Sequence, residues 1–172
     1  MRALVYMLYQ DDPFKCTAAK LVKFGLAERV ASVPRGSILL DPFSEIPISK
    51  ADSALAGSVC AIDCSWDKAD EVLGSRRYKN AAKRGIGRRL PAMLAANPVN
   101  YATLAKLSSA EALAGALYVI GDMATAKSIL DKFKWGHTFF ELNSNLLEDY
   151  SKADTIEQII QLEKEYFALH SD

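Results

Sequence analysis

Four short segments carry residue types that core packing alone does not call for: DDPFKCT at 11–17, DPFSE at 41–45, DCSW at 63–66 and NPVNY at 97–101. In DCSW a carboxylate, Asp63, stands three residues before an indole, Trp66. Together they can hold a cationic ligand through charge and ring face. The plainer reading makes Asp63 the N-cap of a following helix, with Trp66 packed beneath a sheet. Asn97 to Tyr101 is polar and stiffened by Pro98, so it can offer backbone groups and one aromatic face to a planar base, or be a simple turn. Thr17 sits where a helix begins; capping is its commoner role, and bonding an anionic ligand group at the helix N-terminus is the other. The tract from Arg76 to Arg89 holds Arg76, Arg77, Lys79, Lys83, Arg84, Arg88 and Arg89 and no acidic residue. It reads as a phosphate-contacting surface in which Gly85 and Gly87 let the backbone bend close, or as a solvated charged face. His137 follows a helix-like segment and reads as structural.

These segments fall where an α/β layer would place them. Ala3–Leu8, Arg29–Val33, Ser37–Leu40 and Val59–Asp63 read as strands, and Leu90–Leu94 as a fifth. Helical spacing covers Cys16–Leu26, Ser49–Ala56 and Asp67–Leu73 between them. Strand and helix in alternation predict a parallel sheet, whose ligands bind beyond the carboxyl ends of its strands. The four segments above lie at or just beyond those ends. From about position 95 the pattern becomes wholly helical. Ser108 and Glu111 form a capping signature before ALAGALYVI, which Gly121 closes. Asp122 caps ATAKSILDKF, with Gly136 as its stop, and helical patterns follow over Thr138–Tyr150 and Asp154–Leu169. The expected division is 1–90 as an α/β unit and 91–172 as an all-helical one, packed without a flexible joint.

The totals narrow the class. Half of the 172 residues are hydrophobic, which excludes wholesale disorder, and 21 basic residues balance 21 acidic ones, so net charge points to no partner. Cys16, Cys60 and Cys64 form no CxxC and read as reduced, mostly buried thiols. The opening MRALVYML is too short for a signal segment, and no apolar run is long enough to span a membrane. A cytoplasmic protein with no metal site is expected. Phosphate-binding P-loops, nucleophile elbows and zincin helices are absent.

Taken in order, KCTAAKL, ILLDPF, AIDCSW, RRLPAMLAANPVNY with LSSAEALAGALY, and FKWGHTFFELN resemble the ribosome-biogenesis family of rRNA aminocarboxypropyltransferases. One departure is Ala102, where that family usually carries glycine; another lies in DDPFKC. The resemblance implies a SPOUT-like fold: a five-stranded parallel sheet in the N-terminal half and an all-helical C-terminal half threaded into a deep trefoil knot. It implies S-adenosylmethionine as cofactor, small-subunit rRNA as partner and transfer of a 3-amino-3-carboxypropyl group to N3 of a uridine or pseudouridine, releasing methylthioadenosine. Asp63 and Trp66 would then be the catalytic pair. Both would also hold the cofactor, together with Thr17, Leu40, Ile62, Leu90, Tyr101 and Ser108. Lys15, Lys20, Arg76, Arg77, Lys83, Arg84, Arg88 and Arg89 would contact RNA. A monomer is expected, the helical half replacing the partner subunit of dimeric SPOUT enzymes. The rivals are a SPOUT-type methyltransferase and a non-catalytic assembly factor that binds pre-rRNA.

Overall fold

The structure is a computed structural model that describes residues 1–8, 16–63 and 69–167. Five parallel strands form one sheet in the order β2-β1-β4-β3-β5: β1 (Arg2–Met7), β2 (Glu28–Val30), β3 (Ile38–Leu40), β4 (Ser58–Asp63) and β5 (Ile86–Arg88). The central strands β1, β3 and β4 are short apolar runs buried on both faces, as parallel strands covered by helices must be. Helices α1 (Thr17–Lys23), α2 (Ala69–Gly74) and α3 (Arg76–Ala82) lie between strands, together with a 3₁₀ turn at Lys50–Ala54. The elements described from residue 109 on are all helices: α4 (Ser109–Ile120), α5 (Met123–Leu130), α6 (Gly136–Leu142), α7 (Ser144–Lys152) and α8 (Ile156–Phe167). Among the described residues no helix is long and apolar enough to cross a membrane.

Helix α4 is the pillar. Nine of its twelve residues are buried, because α1, α5, α7 and β4 all pack on it. Gly115 lets the chain at Met93 approach: a Cβ there would sit 3.0 Å from the Met93 sulfur. One hydrophobic cluster runs from Ala3 and Val5 through Leu113 and Leu117 to Ile159, across the expected boundary at residue 90.

Several expected elements move. The fifth strand is Ile86–Arg88, not Leu90–Leu94. Pro91 has no N–H to give a ladder, whereas Gly85 lets the chain lie against Leu39 at a distance no side chain would allow. Asn143 divides the expected helix over Thr138–Tyr150 into α6 and α7. Gly136 opens α6 instead of closing α5, since a Cβ at that position would meet the Leu130 carbonyl. The basic tract contains a helix of its own, α3, capped by Ser75.

After β5 the chain stays extended without joining the sheet, and its peptide groups are met mostly by side chains. Glu163 of α8 accepts from Ala92 N at 2.8 Å and takes a two-pronged ion pair from Arg89 at 2.7 and 2.8 Å. Tyr150 donates to the Ala92 carbonyl at 3.1 Å. Asn143 accepts from Leu94 N and donates to Leu94 O, both at 2.8 Å. On the opposite edge Met93 and Ala95 bond to the backbone of residues 102–105.

Burial also sets a pH response. Desolvation, joined at Cys16 by the hydrogen bond to Asp63, pushes the Cys16 and Cys60 thiols from 9.0 up to about 12. Burial, then the charge of Glu163, raises the Tyr150 phenol as well. The native chain therefore holds these protons more tightly than the unfolded one, so stability is intact below pH 9 and falls toward pH 12. Under reducing conditions the urea midpoint should be clearly lower at about pH 11 than at about pH 8. Equal midpoints would contradict the burial of these groups.

Candidate active site

From β1 the chain passes to one side of the sheet, to β2, and from β4 to the other, to β5. The carboxyl ends of β1 and β4 thus flank the point where strand order reverses, the usual ligand crevice of such sheets. Asp63 ends β4 there, opposite Met7 of β1. The residue is only 6% exposed. Cys16 donates to Oδ2 at 3.0 Å and Ser109 donates to Oδ1 at 2.7 Å. Three elements therefore meet at one carboxylate: the end of β4, the start of α1 and the start of α4.

The start of α1 differs from the expected arrangement. Cys16, not Thr17, is the N-cap, its sulfur accepting from Ala19 N at 3.2 Å. Thr17 instead accepts from Ala110 N at 3.3 Å and ties α1 to α4. A hydroxyl that accepts in this way keeps its own proton to donate. The high-lying Cys16 thiol stays protonated, which suits a donor to Asp63 and not a nucleophile.

The neighbouring loop is organised by Glu111. Fully buried, it accepts from Ala96 N at 2.6 Å and Asn97 N at 3.0 Å with one oxygen. The other oxygen accepts from Asn97 Nδ2 at 2.8 Å and Ser108 N at 2.7 Å. Asn97 in turn accepts from Asn100 N at 3.0 Å and donates to the Lys106 carbonyl at 3.3 Å. The loop from 97 to 107 is thus pinned at both ends to the first turn of α4, with Val99 and Tyr101 projecting into solvent.

Of the residues singled out from sequence, Asp63, Thr17 and Ser108 converge here, Ser108 as the N-cap of α4. Leu40 closes β3 and is buried; Ile62 is half-buried in β4 and Leu90 half-buried beyond β5. Trp66 and Lys15 lie outside the described residues. Lys20 is half-buried in the last turn of α1, while Arg76, Arg77 and Lys83 are exposed. Arg84 donates to the Val33 carbonyl at 2.8 Å, though its side chain stays at the surface. Arg88 and Arg89 have internal occupations, with Asp52 at 2.9 Å and Glu163 at 2.7 Å. His137 is exposed on α6. Sequence reasoning missed Ser109, Cys16 as a donor, and the second role of Glu111. The capping signature located Glu111 but accounted for only one of its oxygens.

Comparison with known proteins decides the family. Residues 38–167 match the family described as "Ribosome biogenesis protein, C-terminal". A protein of Thermoplasma volcanium called 16S rRNA aminocarboxypropyltransferase is 46% identical over 168 residues, covering 95% of this chain and 98% of its own. This chain belongs to that family. The 16S rRNA aminocarboxypropyltransferase of Methanosarcina mazei is 41% identical over 165 residues, 94% of this chain and 92% of its own. In three dimensions, the SAM-dependent rRNA:acp-transferase Tsr3 from Vulcanisaeta distributa aligns with a TM-score of 0.80 at 37% identity, over 95% of this chain and 96% of that one. Against the aminocarboxypropyltransferase pattern, Ala102 stands at a position that structure makes costly: its φ is 58°, in the left-handed region.

Left-handed backbone costs an alanine about 1–2 kcal/mol, whereas freeing the unfolded chain with glycine returns about 0.4–1 kcal/mol of that. Ala102→Gly should therefore stabilise the protein by roughly 0.5 kcal/mol in denaturant titration, whereas Ala112→Gly in α4 should cost about 1 kcal/mol. Equal losses in the two variants would show that residue 102 is not strained.

Proposed function

We propose that this protein transfers the 3-amino-3-carboxypropyl group of S-adenosylmethionine to N3 of a uridine or pseudouridine in small-subunit rRNA, releasing methylthioadenosine. The names of its relatives support the reaction class. The observation on this chain that carries the reading is the state of Asp63. It is a buried carboxylate whose bonded partners among the described residues are two neutral donors and no cation. A buried carboxylate without a countercharge is costly, and the ammonium of the cofactor's methionine part supplies one.

Bound S-adenosylmethionine supplies a sulfonium that activates each of its three attached carbons. The chain's task is to choose among them by position. Asp63 holds the ammonium; with both oxygens already accepting, it serves as an anchor in preference to a base. The Thr17 hydroxyl, accepting from Ala110 N, has its proton left to give the cofactor's carboxylate. Leu40 and Trp66 shield the methyl group from the RNA. Backbone groups near Ile62, Leu90 and Tyr101, with the Ser108 turn, hold ribose and adenine. Exposed Arg76, Arg77 and Lys83, with Lys15, Lys20 and Arg84, face RNA phosphates. Arg88 and Arg89 serve instead as ion-paired props for the strand leading to the loop.

The finer architecture belongs to the same proposal: a SPOUT-like sheet whose helical half threads a deep trefoil knot, acting as a cytoplasmic monomer. The extended segment at 89–96, enclosed by side chains from α4, α7 and α8, supports the threading.

Mass spectrometry of the protein with S-adenosylmethionine and a small-subunit rRNA hairpin, unmodified or carrying N1-methylpseudouridine, tests the reaction. RNA heavier by one aminocarboxypropyl group together with methylthioadenosine is expected, and Asp63→Ala should slow transfer by roughly a hundredfold while the protein stays folded. S-adenosylhomocysteine with a methyl-sized gain would replace this reading with methyl transfer.

A further inference from the structure

The turn after β3 presents an aromatic ring to solvent beside the basic helix. Phe43 is 63% exposed, on a turn held by side-chain hydrogen bonds. Asp41 accepts from Phe43 N at 2.9 Å and also from the hydroxyl of Tyr78 on α3. Ser44 donates to the Gly87 carbonyl at 3.2 Å and accepts from Ile46 N at 3.2 Å. Tyr78 meets the Phe43 ring edge-on, with centroids 6.3 Å apart and planes at 82°. Helix α3 carries Arg76, Arg77 and Lys79 at its surface, against the single exposed acid of the turn, Glu45. The ring therefore stands on the rim of the sheet that also ends in Asp63, one strand away, and meets through Tyr78 the helix that carries these cations.

We propose that Phe43 is a stacking platform for an unpaired base of the RNA substrate, with the cations of α3 on the adjoining phosphates. An exposed ring packed on a basic helix suits a base, whose face is apolar and whose backbone is anionic. Fixing the turn beforehand removes the ordering cost that a mobile aromatic would incur on binding. Stacking needs a base free of its neighbours, so the platform favours the loop of a hairpin over its stem. This rests on the proposed reaction on rRNA and adds a residue that chooses which part of the RNA enters.

Fluorescence anisotropy with a labelled small-subunit rRNA hairpin, and with a fully paired duplex of the same stem, tests the platform. Phe43→Ala should weaken hairpin binding roughly tenfold, leave duplex binding and the salt dependence unaltered, and keep its affinity for S-adenosylmethionine by calorimetry. Phe43→Trp should restore the hairpin affinity. Arg76→Ala with Arg77→Ala should weaken both RNAs and flatten the salt dependence. Hairpin binding by Phe43→Ala equal to the parent's would overturn the platform and leave the reaction standing. So would an equal loss on hairpin and duplex. A parent protein that neither binds nor modifies the hairpin would overturn the reaction and the platform together.

Discussion

A stretch of extended chain through the middle of a protein must satisfy its peptide groups, and among the described residues no strand lies beside 92–96 on one edge. A row of side chains does the work of that missing strand. Glu163 and Tyr150 meet Ala92, Asn143 meets Leu94, and Glu111 meets Ala96 and Asn97. Three of these come from helices beyond the sheet and Asn143 from the junction of α6 and α7, so the helical half is built around this segment as much as upon the sheet. Leaving any one buried amide unmet costs about 1–3 kcal/mol, comparable to a substantial share of a domain's net stability. This explains why the helices carry buried polar groups at positions where an amphipathic pattern would put leucine. It also explains why one core cluster spans both halves of the chain.

The same row ends at the candidate site. Glu111 sits in the first turn of α4, between Ser108, which caps the helix, and the buried face that packs on β4. Two residues earlier, Ser109 reaches Asp63. One helix start thus fixes both the polar loop at 97–107 and the carboxylate at the strand-order reversal. The proposed chemistry asks for nothing more elaborate than this. Selecting one of three activated carbons requires an anchored ammonium, a shielded methyl and a rigid frame, not a strong acid or base. Protonated Cys16 fits the same logic, since a thiol held to Asp63 orients the carboxylate without competing as a nucleophile.

Much of this was legible in the residues. The apolar runs at β1, β3 and β4, the alternation with helices, and the Ser108–Glu111 signature before a helix closed by Gly121 all carried local signals. Asp63 stood out as a carboxylate at a strand end, three residues before an indole. What was illegible depended on contacts distant in sequence. Arg88 and Arg89 read as part of a solvated or RNA-facing tract, but their partners, Asp52 and Glu163, lie 36 and 74 residues away. A charge run looks the same whether its members are free or paired. The fifth strand was misplaced because Ile86–Arg88 is short and half-buried, while Leu90–Leu94 is apolar; Pro91 was the overlooked local clue. Asn143 interrupts the helical pattern and bonds Leu94 through its side-chain amide, which no periodicity reveals.

The buried Glu111 carboxylate sets the loop that the cofactor would occupy. Residue-resolved hydrogen exchange on Glu111→Gln tests it most directly, because glutamine keeps the shape but offers one acceptor oxygen and turns an NH₂ toward amide donors. The amides of Ala96 and Asn97 should lose protection while that of Leu94, held by Asn143, keeps it, and S-adenosylmethionine should bind more weakly. Unchanged protection at Ala96 and Asn97, with unchanged cofactor affinity, would show that Glu111 does not hold the loop.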